Sequence, residues 1–198
     1  MKEEDFQYFV SCLMKATKNI DTYYFQLSAA KKRKPIYRER VYCYELYHQL
    51  RCTLGNDFSY KLYGEVDKAG HLIIKKSKKP DFIVHKPEEM EYNLIVMEVK
   101  SISVKDKVND LKKDIKTLKW FLEKANYYRA IMLIYGNENN NLPDIIRKEI
   151  EKVDDKRILI IWHSEANKEP EIIKGNELIK NQLGKCRRTI KSYLKEAI

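Results

Sequence analysis

Four consecutive apolar residues, Leu94-Ile95-Val96-Met97, restrict the fold of this chain more than any other segment. A strand with one solvated face alternates apolar and polar residues, whereas a strand buried on both faces is apolar throughout. The run therefore predicts an interior strand of a sheet that is covered on both sides.

The other periodic segments predict a mixed α/β domain. Apolar residues at helical spacing predict helices, and short apolar or alternating runs predict further strands. The expected helices span 4–28, 36–53, 105–124, 143–153 and 175–195, and the expected strands span 58–65, 71–74, 80–85, 94–100, 130–135 and 158–162. A chain of 198 residues is expected to form one domain, with a mixed central sheet flanked by helices.

The charge balance favours a polyanionic partner. Lys and Arg number 39 against 29 Asp and Glu, which gives a net charge of +10. Neutralising phosphates releases condensed counterions, so a basic protein gains affinity for nucleic acid. Such a surface can also serve solubility alone. The weaker candidates for phosphate contact lie on two predicted helices and are Lys112, Lys113, Arg187 and Arg188.

Several classes of protein are disfavoured. The four cysteines form no CxxC pair, and we interpret them as reduced, buried thiols, since an iron–sulfur cluster would need all four to converge. The first five residues lack the basic start and apolar run of a signal peptide. No run of about 18 apolar residues is present, so we expect no membrane association and a cytoplasmic location.

Acidic and basic side chains cluster where two predicted strands meet. Glu98 and Lys100 end the buried strand and project from one face, because side chains alternate along a strand. We expect Leu94 and Val96 on that same face. Asp81 begins the preceding strand, and a hairpin through 86–93 would bring it beside Glu98.

Two adjacent carboxylates repel each other, and a divalent cation resolves that conflict. Oxygen ligands favour Mg²⁺, with Mn²⁺ as a substitute. A cation held there would stabilise charge on a phosphate and lower the pKa of a bound water. We expect Lys100 to orient that water and stabilise charge rather than act as a base, because neighbouring carboxylates favour its charged form.

A further acid, Glu39, falls within an apolar stripe of the helix predicted over 36–53. Ile36, Cys43 and Leu46 share that stripe. A carboxylate in such a position is costly unless it is paired or bound to metal. Glu39 is therefore a fourth candidate for the site.

Pro80-Asp81 followed by Glu98-Val99-Lys100 resembles the signature of the PD-(D/E)XK nuclease superfamily. The similarity covers residues of about 36–136, with a helical extension over 1–35 and a C-terminal elaboration over 137–198. It implies a restriction-endonuclease-like fold in which Asp81, Glu98 and the Val99 carbonyl bind metal and Lys100 is catalytic. Glu39 matches the acid that the preceding helix often supplies.

The sequence thus predicts a Mg²⁺-dependent endonuclease that hydrolyses phosphodiester bonds, most simply in DNA. One alternative is an inactive nucleic-acid-binding or assembly module on the same fold, since members of a fold family can lose catalysis. A second is a protein-interaction domain, which leaves the net charge of +10 without a role. Symmetric cutting of a duplex needs two sites, which a homodimer would provide.

Overall fold

The computed structural model describes residues 2–28, 34–64, 79–87, 89–102, 108–136 and 141–175. The helices are α1 (Lys2–Lys18), α2 (Thr22–Phe25), α3 (Glu39–Leu54), α4 (Val108–Lys124) and α5 (Asp144–Glu151). The strands are β1 (Lys61–Gly64), β2 (Phe82–His85), β3 (Asn93–Ser101), β4 (Arg129–Tyr135), β5 (Ile158–His163) and β6 (Glu171–Lys174). A short 3₁₀ turn over Met90–Tyr92 connects β2 to β3.

These strands form one mixed sheet in the order β1-β2-β3-β4-β5-β6. The pairs β1–β2 and β2–β3 are antiparallel, the pairs β3–β4 and β4–β5 are parallel, and β6 is antiparallel to β5. The parallel strands are connected through α4 and α5, because a parallel crossover needs a long connection. The predicted α/β class with a mixed central sheet is confirmed.

Helices cover the two faces of the sheet in separate layers. Buried residues of α1, α2 and α3 pack with one face, in a cluster that includes Phe6, Tyr42 and Met97. Buried residues of α4 and α5 pack with the other face, in a cluster that includes Val96 and Leu118. Strand β3 therefore lies between two apolar layers, as its unbroken apolar run predicts.

One expectation about the faces of β3 is wrong. Val96 packs in the α4 layer, but Leu94 packs in the layer of α1 and α3. The register of β2 against β3 shifts between Val84 and His85, opposite Ile95 and Asn93. An irregularity of this kind interrupts the strict alternation of side chains.

The N-terminal segment predicted as one helix over 4–28 forms two helices. Helix α1 ends at Lys18, and α2 begins after Asp21. The Asp21 carboxylate accepts hydrogen bonds from the backbone N–H groups of Tyr23 and Tyr24, at 2.8 and 3.4 Å. This N-cap satisfies amides that would otherwise lack partners and stabilises a new helix start.

Helix α3 begins at Glu39 rather than at 36. Ile36 is extended, and its backbone exchanges hydrogen bonds with Leu27 in an isolated antiparallel bridge. Ile36 is therefore absent from the helical stripe that selected Glu39. Cys43 and Leu46 remain on the buried face of α3.

Other expected elements differ at their ends or lie outside the description. Strand β1 begins at Lys61 rather than 58, and β6 has no predicted counterpart. The strand expected at 71–74 and most of the helix expected over 175–195 fall outside the described residues.

Cys12 and Cys43 are buried free thiols as expected, whereas Cys52 is exposed. In the described part of the chain, no helix combines the length and apolarity that crossing a bilayer requires.

The segment that leads into α3 packs tightly on Gly136, which follows β4 with φ of +79°. A Cβ at this position would lie 2.6 Å from Cδ1 of the Tyr37 ring. We expect Gly136→Ala to lower the free energy of unfolding by about 1–3 kcal/mol through strain and overpacking. Chemical denaturation measures the change.

A double-mutant cycle with Tyr37→Ala separates the two causes. Removing the ring should reduce the cost of Gly136→Ala by at least about 1 kcal/mol, because contacting residues are not additive. If Gly136→Ala lowered the free energy of unfolding equally with and without the Tyr37 ring, the contact with that ring would be contradicted, and backbone strain would be the only cause.

Candidate active site

The β2–β3 hairpin brings Asp81 beside Glu98. Phe82 pairs with Met97, so Asp81, which precedes Phe82, lies next to Glu98, which follows Met97. Both acids extend the face that carries Ile83 and Val96, because side chains alternate along each strand. The Asp81 carboxylate also accepts a hydrogen bond from the Val99 N–H at 2.7 Å. The predicted convergence of the two acids is thus present.

This pair lies at the carboxyl edge of the parallel part of the sheet. Lys100 and Ser101 at the end of β3 are level with Ile134 and Tyr135 at the end of β4. Strand β2 runs antiparallel, so its beginning falls at the same edge. Open α/β sheets characteristically bind ligands outside the carboxyl ends of their parallel strands.

Burial makes two charges at this position unfavourable. Only 8% of the Glu98 surface is exposed. Burial, then the nearby carboxylates of Asp81 and Asp114, raises the pKa of Glu98 to about 9. Burial also raises the pKa of Asp81 to about 6, although the Val99 N–H opposes the shift. Without a cation, both shifts favour retention of a proton by the pair near neutral pH.

The carbonyl of Val99 lies on the same side of β3 as Asp81. The N–H and C=O of one strand residue point to the same neighbouring strand. Since the Val99 N–H donates to Asp81, its C=O also points towards the start of β2. Two carboxylates and a carbonyl oxygen are the donors that a hard cation prefers.

Lys100 is held by two carboxylates. Its Nζ lies 2.9 Å from Oδ2 of Asp114 and 3.4 Å from Oε2 of Glu39. Burial lowers the pKa of Lys100, but the hydrogen bond and charge of Asp114, followed by those of Glu39, outweigh it and raise the pKa. Lys100 therefore stays an ammonium group and is unsuited to act as a general base in this arrangement.

Glu39 reaches the site from the opposite layer of the fold. Its Oε1 accepts hydrogen bonds from the N–H and the Oγ of Ser101, at 3.1 and 3.0 Å. One third of its side chain is exposed. The structure thus places Glu39 beside Lys100 at the end of β3. Its helical spacing to Cys43 and Leu46 holds, whereas Ile36 lies outside the helix.

Asp114 completes the cluster and is not among the site residues that the sequence predicts. It lies on α4, and 17% of its side chain is exposed. Burial raises its pKa, although Lys100 opposes that shift. A signal was available, because Asp114 follows Leu111 by three positions and precedes Leu118 by four. It is an acid within the apolar stripe of α4, the same kind of pattern that selected Glu39.

Neither Lys112 nor Lys113 joins this cluster. The Lys112 Nζ lies 3.6 Å from Oε1 of Glu149 in an ion pair on the surface of α4 and α5. Lys113 is exposed on α4. Arg187 and Arg188 lie outside the described residues, so their predicted phosphate contacts stay predictions.

The donor set fits a hard cation only with help from the backbone. Among the residues that the structure describes, no group of three or more His, Cys, Asp or Glu side chains is arranged to hold a metal ion. Asp81 and Glu98 supply two carboxylates, and the Val99 C=O points to the β2 side of β3, as its N–H does. Mg²⁺ commonly binds through one or two carboxylates and retains several waters, so this set is sufficient for it.

Comparison of the chain with protein-family models, with curated proteins and with solved structures finds no match. The resemblance to the PD-(D/E)XK superfamily therefore stays a proposal that rests on the site itself.

The raised pKa of Glu98 predicts how stability without metal depends on pH. The folded protein keeps a proton that the unfolded chain releases above about pH 4.5, so the free energy of unfolding falls as pH rises towards about 9. Glu98→Gln removes this titration. We expect its melting temperature, in chelator, to fall less than that of wild type between about pH 6 and about 9.

The matched control is Glu151→Gln, which changes an exposed side chain. We expect a difference of at least about 2 °C in the pH-dependent loss between Glu98→Gln and this control, equivalent to roughly 1 kcal/mol. Parallel curves for the two variants would show that Glu98 is not buried with a raised pKa.

Proposed function

We propose that this protein is a divalent-metal-dependent nuclease that hydrolyses phosphodiester bonds, most simply in DNA. The observation that carries the proposal is the buried Asp81–Glu98 pair at the carboxyl edge of the sheet. Burial raises the pKa of both carboxyls, and buried acids with shifted pKa values occur preferentially at functional sites. The adjacent Lys100 supplies an ammonium group beside this pair, where Asp114 and Glu39 also contact it.

The roles follow from the contacts. Asp81, Glu98 and the Val99 carbonyl would hold Mg²⁺, or Mn²⁺ in its place. When bound, the cation would neutralise charge on the phosphate and make a bound water more acidic. Lys100 remains protonated, so it stabilises negative charge and orients water through its N–H groups. Glu39 helps to keep Lys100 and Ser101 at the end of β3.

Charge and setting agree with a nucleic-acid substrate. The net charge of +10 favours association with a phosphate backbone, and such binding weakens as salt rises. The described cysteines are free thiols, which suits the reducing cytoplasm. The superfamily resemblance, and a homodimer for symmetric duplex cutting, belong to the same proposal.

The test is incubation with supercoiled, linear, single-stranded and RNA substrates in Mg²⁺ or Mn²⁺. We expect wild type to cleave at least one substrate and to stop in chelator. Asp81→Asn and Glu98→Gln should abolish metal-dependent cleavage. Lys100→Met should lower kcat by about 10²–10³-fold, as loss of a charge-stabilising donor does in other enzymes.

Lys116→Met is the matched control, because it removes an exposed lysine from α4 and leaves the cluster intact. Its cleavage rate should equal that of wild type. Cleavage that survives in Asp81→Asn and Glu98→Gln would contradict the site. If wild type cuts no substrate yet binds DNA in a salt-dependent way, the inactive binding module replaces the nuclease.

A further inference from the structure

Asp114 makes the shortest contact of the Lys100 ammonium among the described residues, at 2.9 Å against 3.4 Å for Glu39. The two side chains in this ion pair are 13% and 17% exposed. Solvent screens such a pair less than one on the surface, so the contact has a larger influence on where the ammonium lies.

The two acids hold Lys100 from opposite faces of the sheet. Glu39 begins α3, whose buried residues pack in one layer, and Asp114 lies on α4, whose buried residues pack in the other. Lysine has a long, flexible stem and a compact charge, so without partners its ammonium would sample many positions. Glu39 and Asp114, on separate helices, restrict the ammonium to one position.

The position of Asp114 argues against a role as a third ligand for the cation. Its Oδ2 is engaged by Lys100, and the described acids include no cluster of three arranged around a metal position. The charge of Asp114 also helps to raise the pKa of Glu98, but the hydrogen-bond partner of Asp114 is Lys100.

We propose that Asp114 is a positioning residue, which fixes the Lys100 ammonium beside the Asp81–Glu98 pair through their ion pair. The inference rests on the proposed nuclease function for its kinetic consequence. Its structural content, that Asp114 holds Lys100 in place, can be measured without any activity.

The kinetic test compares Asp114→Asn and Asp114→Glu with Asp110→Asn, an exposed acid on the same helix. Asp114→Asn should lower kcat about 10- to 100-fold, the scale of a misplaced catalytic group, with KM for DNA within about twofold. Asp114→Glu should restore part of the loss, and Asp110→Asn should match wild type. Thermal unfolding shows that each variant is folded.

Combining Asp114→Asn with Lys100→Met shows whether Asp114 acts through Lys100. We expect Asp114→Asn to cost less than about threefold once Lys100 is absent, because residues that act as one unit are not additive. A full additional loss in that background would overturn the proposal. So would a tenfold fall in Mn²⁺ affinity of Asp114→Asn in calorimetry, which would make Asp114 a metal ligand.

A measurement on the ammonium group keeps this proposal distinct from the nuclease. A buried, hydrogen-bonded lysine ammonium exchanges its protons slowly enough for ¹H–¹⁵N NMR, and Lys100→Met assigns the signal. We expect the signal in wild type and in Asp110→Asn but not in Asp114→Asn. If wild type cuts nothing, the nuclease fails while this test still applies, and a signal that persists in Asp114→Asn overturns the positioning role.

Discussion

The burial of Glu98 beside Asp81 is the constraint on which the site depends. The sheet places two acids at its carboxyl edge, where helices on both faces exclude most of the solvent. Neither the Val99 N–H nor Lys100 supplies enough opposing charge to restore ordinary pKa values. Both pKa shifts therefore favour retention of a proton by the pair near neutral pH, at the place where the proposed cation would bind.

The charges around this pair have a consistent arrangement. Four acids, Glu39, Asp81, Glu98 and Asp114, surround one lysine, so the cluster is negative even when one proton is shared. The cluster is therefore opposite in sign to the chain as a whole, whose net charge is +10, so a polyanion would be favoured by the chain and a cation by the cluster. The proposed function uses both properties.

Much of this site could be predicted because strand geometry is simple. Alternation places Glu98 and Lys100 on one face, and a hairpin brings Asp81 to them, with no need for long-range information. Asp114 is different, because only the packing of α4 on the sheet shows that its stripe faces Lys100. The start of α3 also depends on a distant contact, since the bridge between Leu27 and Ile36 keeps the latter extended. Strand β6 is short and partly exposed, so it lacks the apolar pattern that identified β3, β4 and β5.

The position of Lys100 links the integrity of the site to that of the whole fold. Its two partners come from helices that belong to different apolar layers, so a shift of either layer relative to β3 changes the ammonium position. The contact of Tyr37 with Gly136 then influences the site through the segment that leads into Glu39, two residues after Tyr37. Glu98→Gln removes a proposed ligand, but it also removes the proton release that lowers stability at high pH, so at high pH activity should fall while stability rises relative to wild type. At the Tyr37–Gly136 contact they should fall together, because there the loss is one of packing and position.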